Sequence, residues 1–374
     1  MRVCFIEDTG LRGGTQIWVS EAVRDFRSKG ADVTLLTSEN GWNAEDGRTT
    51  DVDLVTYDYD AVTRRDDEER MIWTRALDGA DVAVCTVHPP RNGFHCSVFA
   101  AQCIADAGLD TVLVPKSGTI VPEYERRYYK PDPDINYHVA AITGFTRDYM
   151  VSDYEIPADH VELVYQGTDI LRYTPSDARA EAAKERYPLR AGAGPVLGCV
   201  GSFEERKGQV LLLDAIDRAR KDLPDILLLL VGDGPDKELL ERAVAEKGLS
   251  DNVLFVPFTS EPEYIFELLD FHVLASTHKE GLPNVLLESM AMEVPVVSTR
   301  LAGTPEVVFD GETGLLVEPG NMEELADAIV RIGGDAAARR KMAVAGRTLM
   351  TENFDKRRQF QAFLDFFGHL AEAR

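Results

Sequence analysis

In Ser276-Thr-His-Lys-Glu280-Gly-Leu-Pro-Asn-Val-Leu-Leu-Glu288, two carboxylates stand eight residues apart across a loop and the start of a helix. Gly281 and Pro283 mark the turn, and the apolar run behind them predicts a helix over Val285–Met292. A helix start offers unpaired backbone N–H groups at the positive end of its dipole, a ready site for a diphosphate or a sugar hydroxyl. Glu288, just inside that helix, can accept hydrogen bonds from two vicinal hydroxyls such as those of a ribose. Taken alone, the two glutamates also fit a plainer role, because acids at a helix start simply favour the dipole.

Other stretches of the first half could also do chemistry. The turn Asp8-Thr-Gly-Leu-Arg-Gly13-Gly14 lies between a strand and a helix. Glycine there lets the backbone approach a ligand, although many such turns need it only to turn. His88 follows an apolar run in Thr86-Val-His-Pro-Pro, with His95 as a nearby competitor. Lys116-Ser-Gly-Thr and Glu123-Tyr-Glu-Arg126-Arg127-Tyr-Tyr-Lys130 form a basic and aromatic cluster in an acidic surrounding. That cluster suits an anionic acceptor, a membrane surface or plain solvation. Asp58-Tyr-Asp60 and Asp132-Pro-Asp134 spell a metal-binding triplet, which is commonplace in so acidic a chain and is discounted.

The elements that must position these residues come in two series. Apolar strands are predicted at Val3–Ile6, Val33–Leu36, Leu54–Tyr57, Val82–Cys85, Val112–Val114 and Val139–Ile142, with helix-length segments between several of them. A looser Pro-, Ala- and Gly-containing stretch runs to Pro195. Strands at Val196–Val200, Ile226–Val231, Val253–Val256, Val273–Ala275 and Val296–Ser298 then alternate with helices. Such alternation means parallel sheets covered on both faces. The expectation is two doubly wound α/β domains facing a cleft: residues 1–170 with a returning C-terminal helix 354–374, and residues 171–353. Ligands in such folds bind beyond the carboxyl ends of the strands.

Glu280 to Glu288 closely resembles the EGxxxxxxE signature of glycosyltransferase family 4, and Pro295–Glu306 and Asp310–Pro319 continue in the family's manner. Gly201-Ser-Phe-Glu-Glu-Arg206-Lys207-Gly208 resembles its basic diphosphate loop, Asp8–Gln16 its glycine-rich loop, and Gln166-Gly-Thr-Asp169 its domain-joining NGxD. The resemblance implies a GT-B fold of two Rossmann-like domains, a retaining same-face transfer, and no metal or other cofactor. It implies that Glu288 binds the donor ribose and Glu280 faces the donor sugar. The backbone of Gly281, Leu282, Pro283, Asn284, Val285 and Leu286 would then hold sugar hydroxyls and phosphate. Lys207 would neutralise the departing diphosphate, where charge builds in the transition state. Val256 would lie by the base, and Gly13 and Gly14 by the β-phosphate or the transferred sugar. His88 would contact the donor sugar or position the acceptor, with Lys116 and Arg126 on the acceptor side. Two positions depart from the pattern. Ser202 stands where the family usually has arginine, so Arg206 is either a displaced second cation or a solvated loop residue. Pro257 stands where many relatives have glycine.

Composition bounds the remaining possibilities. The 374 residues exceed one ordinary core, and 44% apolar with 28% charged residues is globular. A net charge of −24 argues against nucleic acid, which needs a basic footprint. Five cysteines without CxxC spacing argue against disulfides or zinc. No export signal or bilayer-length apolar run is seen, so the expected location is cytoplasmic, at most peripheral at the inner membrane face. The expected partners are a nucleotide-sugar donor and a small-molecule, glycan or lipid-linked acceptor. Three alternatives stay open: a nucleotide-sugar 2-epimerase, a non-catalytic nucleotide-sugar binding protein, and a dehydrogenase. The last would need a GxGxxG turn, and Gly232-Asp-Gly234 only begins one.

Overall fold

The computed structural model describes residues 1–7, 13–50, 52–63, 67–87, 94–118, 120 and 125–373. Contacts divide it into two units, Met1–Tyr165 with Arg358–Arg374, and Gln166–Arg357. The sequence expectation placed the joints at 170 and 354, several residues away.

The first unit is built on a seven-stranded sheet: β1 (Arg2–Glu7), β2 (Asp32–Ser38), β3 (Asp53–Tyr57), β4 (Val82–Thr86), β5 (Val112–Lys116), β6 (Val139–Ala141) and β7 (Val161–Leu163). Their order is β3-β2-β1-β4-β5-β6-β7, and every pairing is parallel. Parallel strands must be covered on both faces, and β1, β4 and β5 accordingly read as near-continuous apolar runs. The helix Lys356–Glu372 supplies part of that cover. Its Phe363 is wholly buried, with its ring 5.2 Å from that of Trp18, and Phe367 lies 5.9 Å from Phe26. The chain therefore leaves this unit after Tyr165 and returns to finish its core.

The second unit carries β8 (Val196–Val200), β9 (Leu227–Val231), β10 (Val253–Val256), β11 (Phe271–Leu274), β12 (Val296–Thr299) and β13 (Gly314–Val317). They form a parallel six-stranded sheet in the order β10-β9-β8-β11-β12-β13. The sequence reading did not single out β7 or β13, whose lengths of three and four residues leave little periodic signal. It also read the 170–195 joint as loose, whereas Asp177–Arg186 is a helix capped by Ser176. All five cysteines are free and buried. No helix among the described residues is long and apolar enough to cross a membrane.

Candidate active site

In the second unit the sheet order reverses between β8 and β11, which pair directly through Leu197 and Phe271. Successive connections run outward in opposite directions from that pair, leaving an opening beyond its carboxyl ends. The loops leaving β8 and β11 carry Lys207 and Glu280. Gly208 brings them together: it sits at φ +68°, and a Cβ there would come 2.1 Å from the Ala275 carbonyl oxygen. Only glycine permits that approach. The Thr277 N–H donating to the Arg206 carbonyl (2.8 Å) ties the same two loops.

Glu280 is 8% exposed, and its Oε1 receives three donors. These are the Lys207 ammonium at 2.5 Å, the Ser276 hydroxyl at 2.7 Å and the Arg206 guanidinium at 3.3 Å. Oε2 has no hydrogen-bond partner among the described residues. The preceding residue, Lys279, is held at φ +56°, a costly conformation for a side chain with a Cβ. Arg206 is thus no freely solvated loop residue, since it bridges Glu280 and Glu204 (2.8 Å). Burial works against the charge of Glu204, yet hydrogen bonds from Ser202 and Arg206 hold its carboxyl below the usual range. Ser202 is therefore engaged through its hydroxyl, and its carbonyl accepts from Gln209 (2.8 Å).

The helix after this loop spans Asn284–Ala291 and has no side-chain N-cap and no acid in its first turn. Leu282 and Leu286 are buried in the unit's apolar core, so those two can meet a ligand only through backbone. Pro283, which has no N–H, brings no donor. The Gly281 carbonyl is already taken by the Gly303 N–H (3.0 Å), and the Asn284 side chain accepts from Gln166 (3.1 Å). Val256 likewise ends β10 with its side chain buried. Glu288 comes in the second turn of the helix, half-buried. Burial pushes its carboxyl up to about 7, against the pull of Lys356, a hydrogen bond from Tyr173 and the charge of Arg172, while Glu263 adds to the rise. Arg172 and Tyr173 were missed from the sequence, where they are only a pair of residues past the joint.

In the first unit β1, β4 and β5 are neighbours, so Glu7, Thr86 and Lys116 end adjacent strands. Glu7 is wholly buried and accepts from Gln16 (3.0 Å) and Thr86 (2.7 Å). Lys116 is 4% exposed, with its ammonium 4.2 Å above the Trp18 ring. Burial lowers its amine to about 7, and Glu7 only partly restores it. Sequence reasoning passed over Glu7, Gln16 and Trp18; an acid closing a wholly apolar strand was the available sign. Gly13 caps the helix Gly14–Ser28 in an extended conformation without a side-chain cap, leaving that helix start to its backbone. His88 and Asp8–Arg12 lie outside the described residues. His95 caps the helix Cys96–Ala107, accepts from Ser97 and stacks on Tyr128 at 4.1 Å. Arg126 is half-exposed and paired with Glu155 at 2.8 Å, sharing no partner with Lys116. Among the described residues no three His, Cys, Asp or Glu side chains are grouped to hold a metal ion.

The family described as "Glycosyl transferases group 1" matches residues 194–335, which contain Lys207, Glu280 and Glu288. Residues 194–335 are thus similar to a group 1 glycosyltransferase domain. A GDP-mannose-dependent alpha-(1-6)-phosphatidylinositol monomannoside mannosyltransferase of Mycolicibacterium smegmatis is 32% identical over 246 residues. The lipopolysaccharide core biosynthesis glycosyltransferase LpsE of Rhizobium meliloti is 36% identical over 174 residues. The matches span 63% and 50% of the length of those relatives, and 63% and 46% of this chain. Among solved structures, the Anabaena protein HepE in complex with UDP superposes with a TM-score of 0.85 at 19% identity, covering 99% of this chain and 100% of its own. That likeness establishes the GT-B fold, one Rossmann-like sheet in each unit. Within residues 194–335, the residues that cluster at the switch point are those the signature and the basic loop had singled out.

Proposed function

We propose that the protein is a retaining, metal-independent glycosyltransferase that moves a hexosyl unit from a nucleoside diphosphate sugar to a glycan, lipid-linked or other small-molecule acceptor. The observation that carries this reading is the Glu280 carboxylate: one oxygen lies under three donors and the other is free to meet a sugar hydroxyl. An ammonium has three protons to donate, so Lys207 can keep Glu280 and still reach a diphosphate oxygen. The start of the Asn284–Ala291 helix adds the positive end of a dipole.

In the proposed step the bond between the anomeric carbon and the diphosphate oxygen breaks, and both electrons stay on the phosphate. Positive charge develops on the sugar ring, and the new negative charge is met by Lys207 and Arg206. The acceptor hydroxyl joins the same face of the anomeric carbon and passes its proton to the departing phosphate oxygen. No metal is required where fixed cations already stand at the leaving group. Lys116 in the first unit is the proposed acceptor-side cation. The relatives named for phosphatidylinositol monomannoside and for lipopolysaccharide core support a lipid-borne acceptor, reached by peripheral contact at the cytoplasmic face.

The test is a screen of UDP-, GDP- and ADP-hexoses, first for thermal stabilisation and then for transfer in the presence of EDTA. The anomeric configuration of the product is read by NMR. Inversion would sink the same-face step, and loss of turnover in EDTA would sink the metal-free site.

A further inference from the structure

Glu288 is framed by two consecutive residues whose fixation is elaborate for a loop beside a joint. Arg172 donates from Nη2 to the Ser260 carbonyl (2.6 Å) and grips both oxygens of Glu263, at 2.9 and 3.3 Å. Ser260 belongs to the segment that follows β10 and Val256. Tyr173 is 5% exposed, packs edge-on against Phe266, and its hydroxyl donates to the Glu288 carboxylate. Arg347 locks this arrangement, because its Nη1 donates at 2.5 Å both to the Tyr173 carbonyl and to that of Ala291. Ala291 ends the very helix on which Glu288 sits. One dipeptide thus reaches the acid proposed for the ribose on one side and the segment proposed for the base on the other.

We propose that Arg172 and Tyr173 are positioning residues for the nucleoside half of the donor, Tyr173 holding Glu288 as an oriented carboxylate for the two ribose hydroxyls and Arg172 fixing the segment beside the base. This rests on the ribose reading of Glu288. An ionised acid accepts through both oxygens, whereas a protonated one turns one of them into a donor and binds the hydroxyl pair less well. The groups that decide its ionisation are all near it: Lys356, Arg172 and the Tyr173 hydroxyl favour the carboxylate, while burial and Glu263 oppose it. Nucleoside binding therefore strengthens as pH rises through neutrality, and the Tyr173 hydroxyl sets where that rise occurs.

The experiment titrates UDP and GDP by calorimetry from pH 5.5 to 8.5, with inorganic pyrophosphate as the control for the phosphates' own ionisation. Wild type should show a pH-dependent gain of nucleoside diphosphate over pyrophosphate. Tyr173→Phe should move that gain upward by about one pH unit, weakening binding about fivefold at pH 7 and recovering at pH 8.5. Arg172→Gln should weaken nucleoside diphosphate about tenfold and leave pyrophosphate unchanged. Glu288→Gln separates the two layers of the argument. If it abolishes the nucleoside advantage while Tyr173→Phe keeps the wild-type pH profile, the positioning role falls and the ribose reading stands. If Glu288→Gln binds like wild type, the ribose reading itself falls.

Discussion

Both units place a lysine and a glutamate at the carboxyl edge of a parallel sheet, and they treat the pair in opposite ways. In the second unit Lys207 and Glu280 touch at 2.5 Å, supported by Ser276 and Arg206. In the first unit Glu7 is held by the neutral donors Gln16 and Thr86, while Lys116 rests on an indole ring. Lys207 stands among hydrogen-bonding partners and keeps protons to offer an anion. Lys116, shut away from water, sits close to losing its proton despite the ring beneath it. The lesson is that position at a sheet edge confers access, while the immediate partners decide which charge state is offered.

The comparison breaks most sharply at Lys207. Lys207→Ala should lower kcat by about 10²- to 10³-fold, whereas Lys116→Ala should act mainly on the KM for acceptor. Steady-state kinetics with both substrates varied would read the difference, and equal kcat losses would dissolve the distinction. Next in size, Gly208→Ala should cost about 2–3 kcal/mol in urea unfolding, because the new methyl meets a backbone oxygen at a left-handed φ. Wild-type stability there would mean that the two loops are not held as described.

The smaller effects are mirror images in pH. The Lys116 amine is lowered to about 7 in the folded protein, from about 10.5 when unfolded, so it penalises the fold fully below pH 7 and progressively less as pH rises to 10.5. Lys116→Met should therefore gain about 2–4 °C in Tm at pH 6, with the gain shrinking toward pH 10. Glu288 has the reverse sign. Its folded value of about 7 lies above 4.5, so its penalty is absent below pH 4.5 and complete above 7. Glu288→Gln should then be the more stable protein at pH 8 and indistinguishable from wild type near pH 4.5, as scanning calorimetry would show. Two curves of the same sign would erase the contrast between the units.

How much could be read beforehand follows the same division. Lys207, Glu280 and Glu288 come from two short stretches whose residue order survives as spatial order, so their motifs were visible. Glu7, Thr86 and Lys116 are brought together by the pairing of β1, β4 and β5, and nothing in a linear string of apolar runs says which strands will be neighbours. Arg172 and Tyr173 escaped for a related reason, since their partners Glu263 and Glu288 lie about a hundred residues downstream. The alternation of strands and helices was plain along most of the chain, but the four-residue run of β13 went unnoticed. It failed at β7, where only three residues pair and the middle one, Glu162, is exposed. His95 shows the opposite hazard, because a histidine in a promising place is spent on capping a helix and stacking on Tyr128.

The return of Lys356–Glu372 to the first unit has a consequence for how the protein is made. Ribosomes deliver the amino end first, yet Trp18 and Phe26 must wait for Phe363 and Phe367, more than three hundred residues later, before their pocket closes. The second unit is translated in one uninterrupted piece and is complete first. The first unit is thus closed only after the second, so a nascent chain stalled before Phe363 would expose the aromatic surface of Trp18 and Phe26.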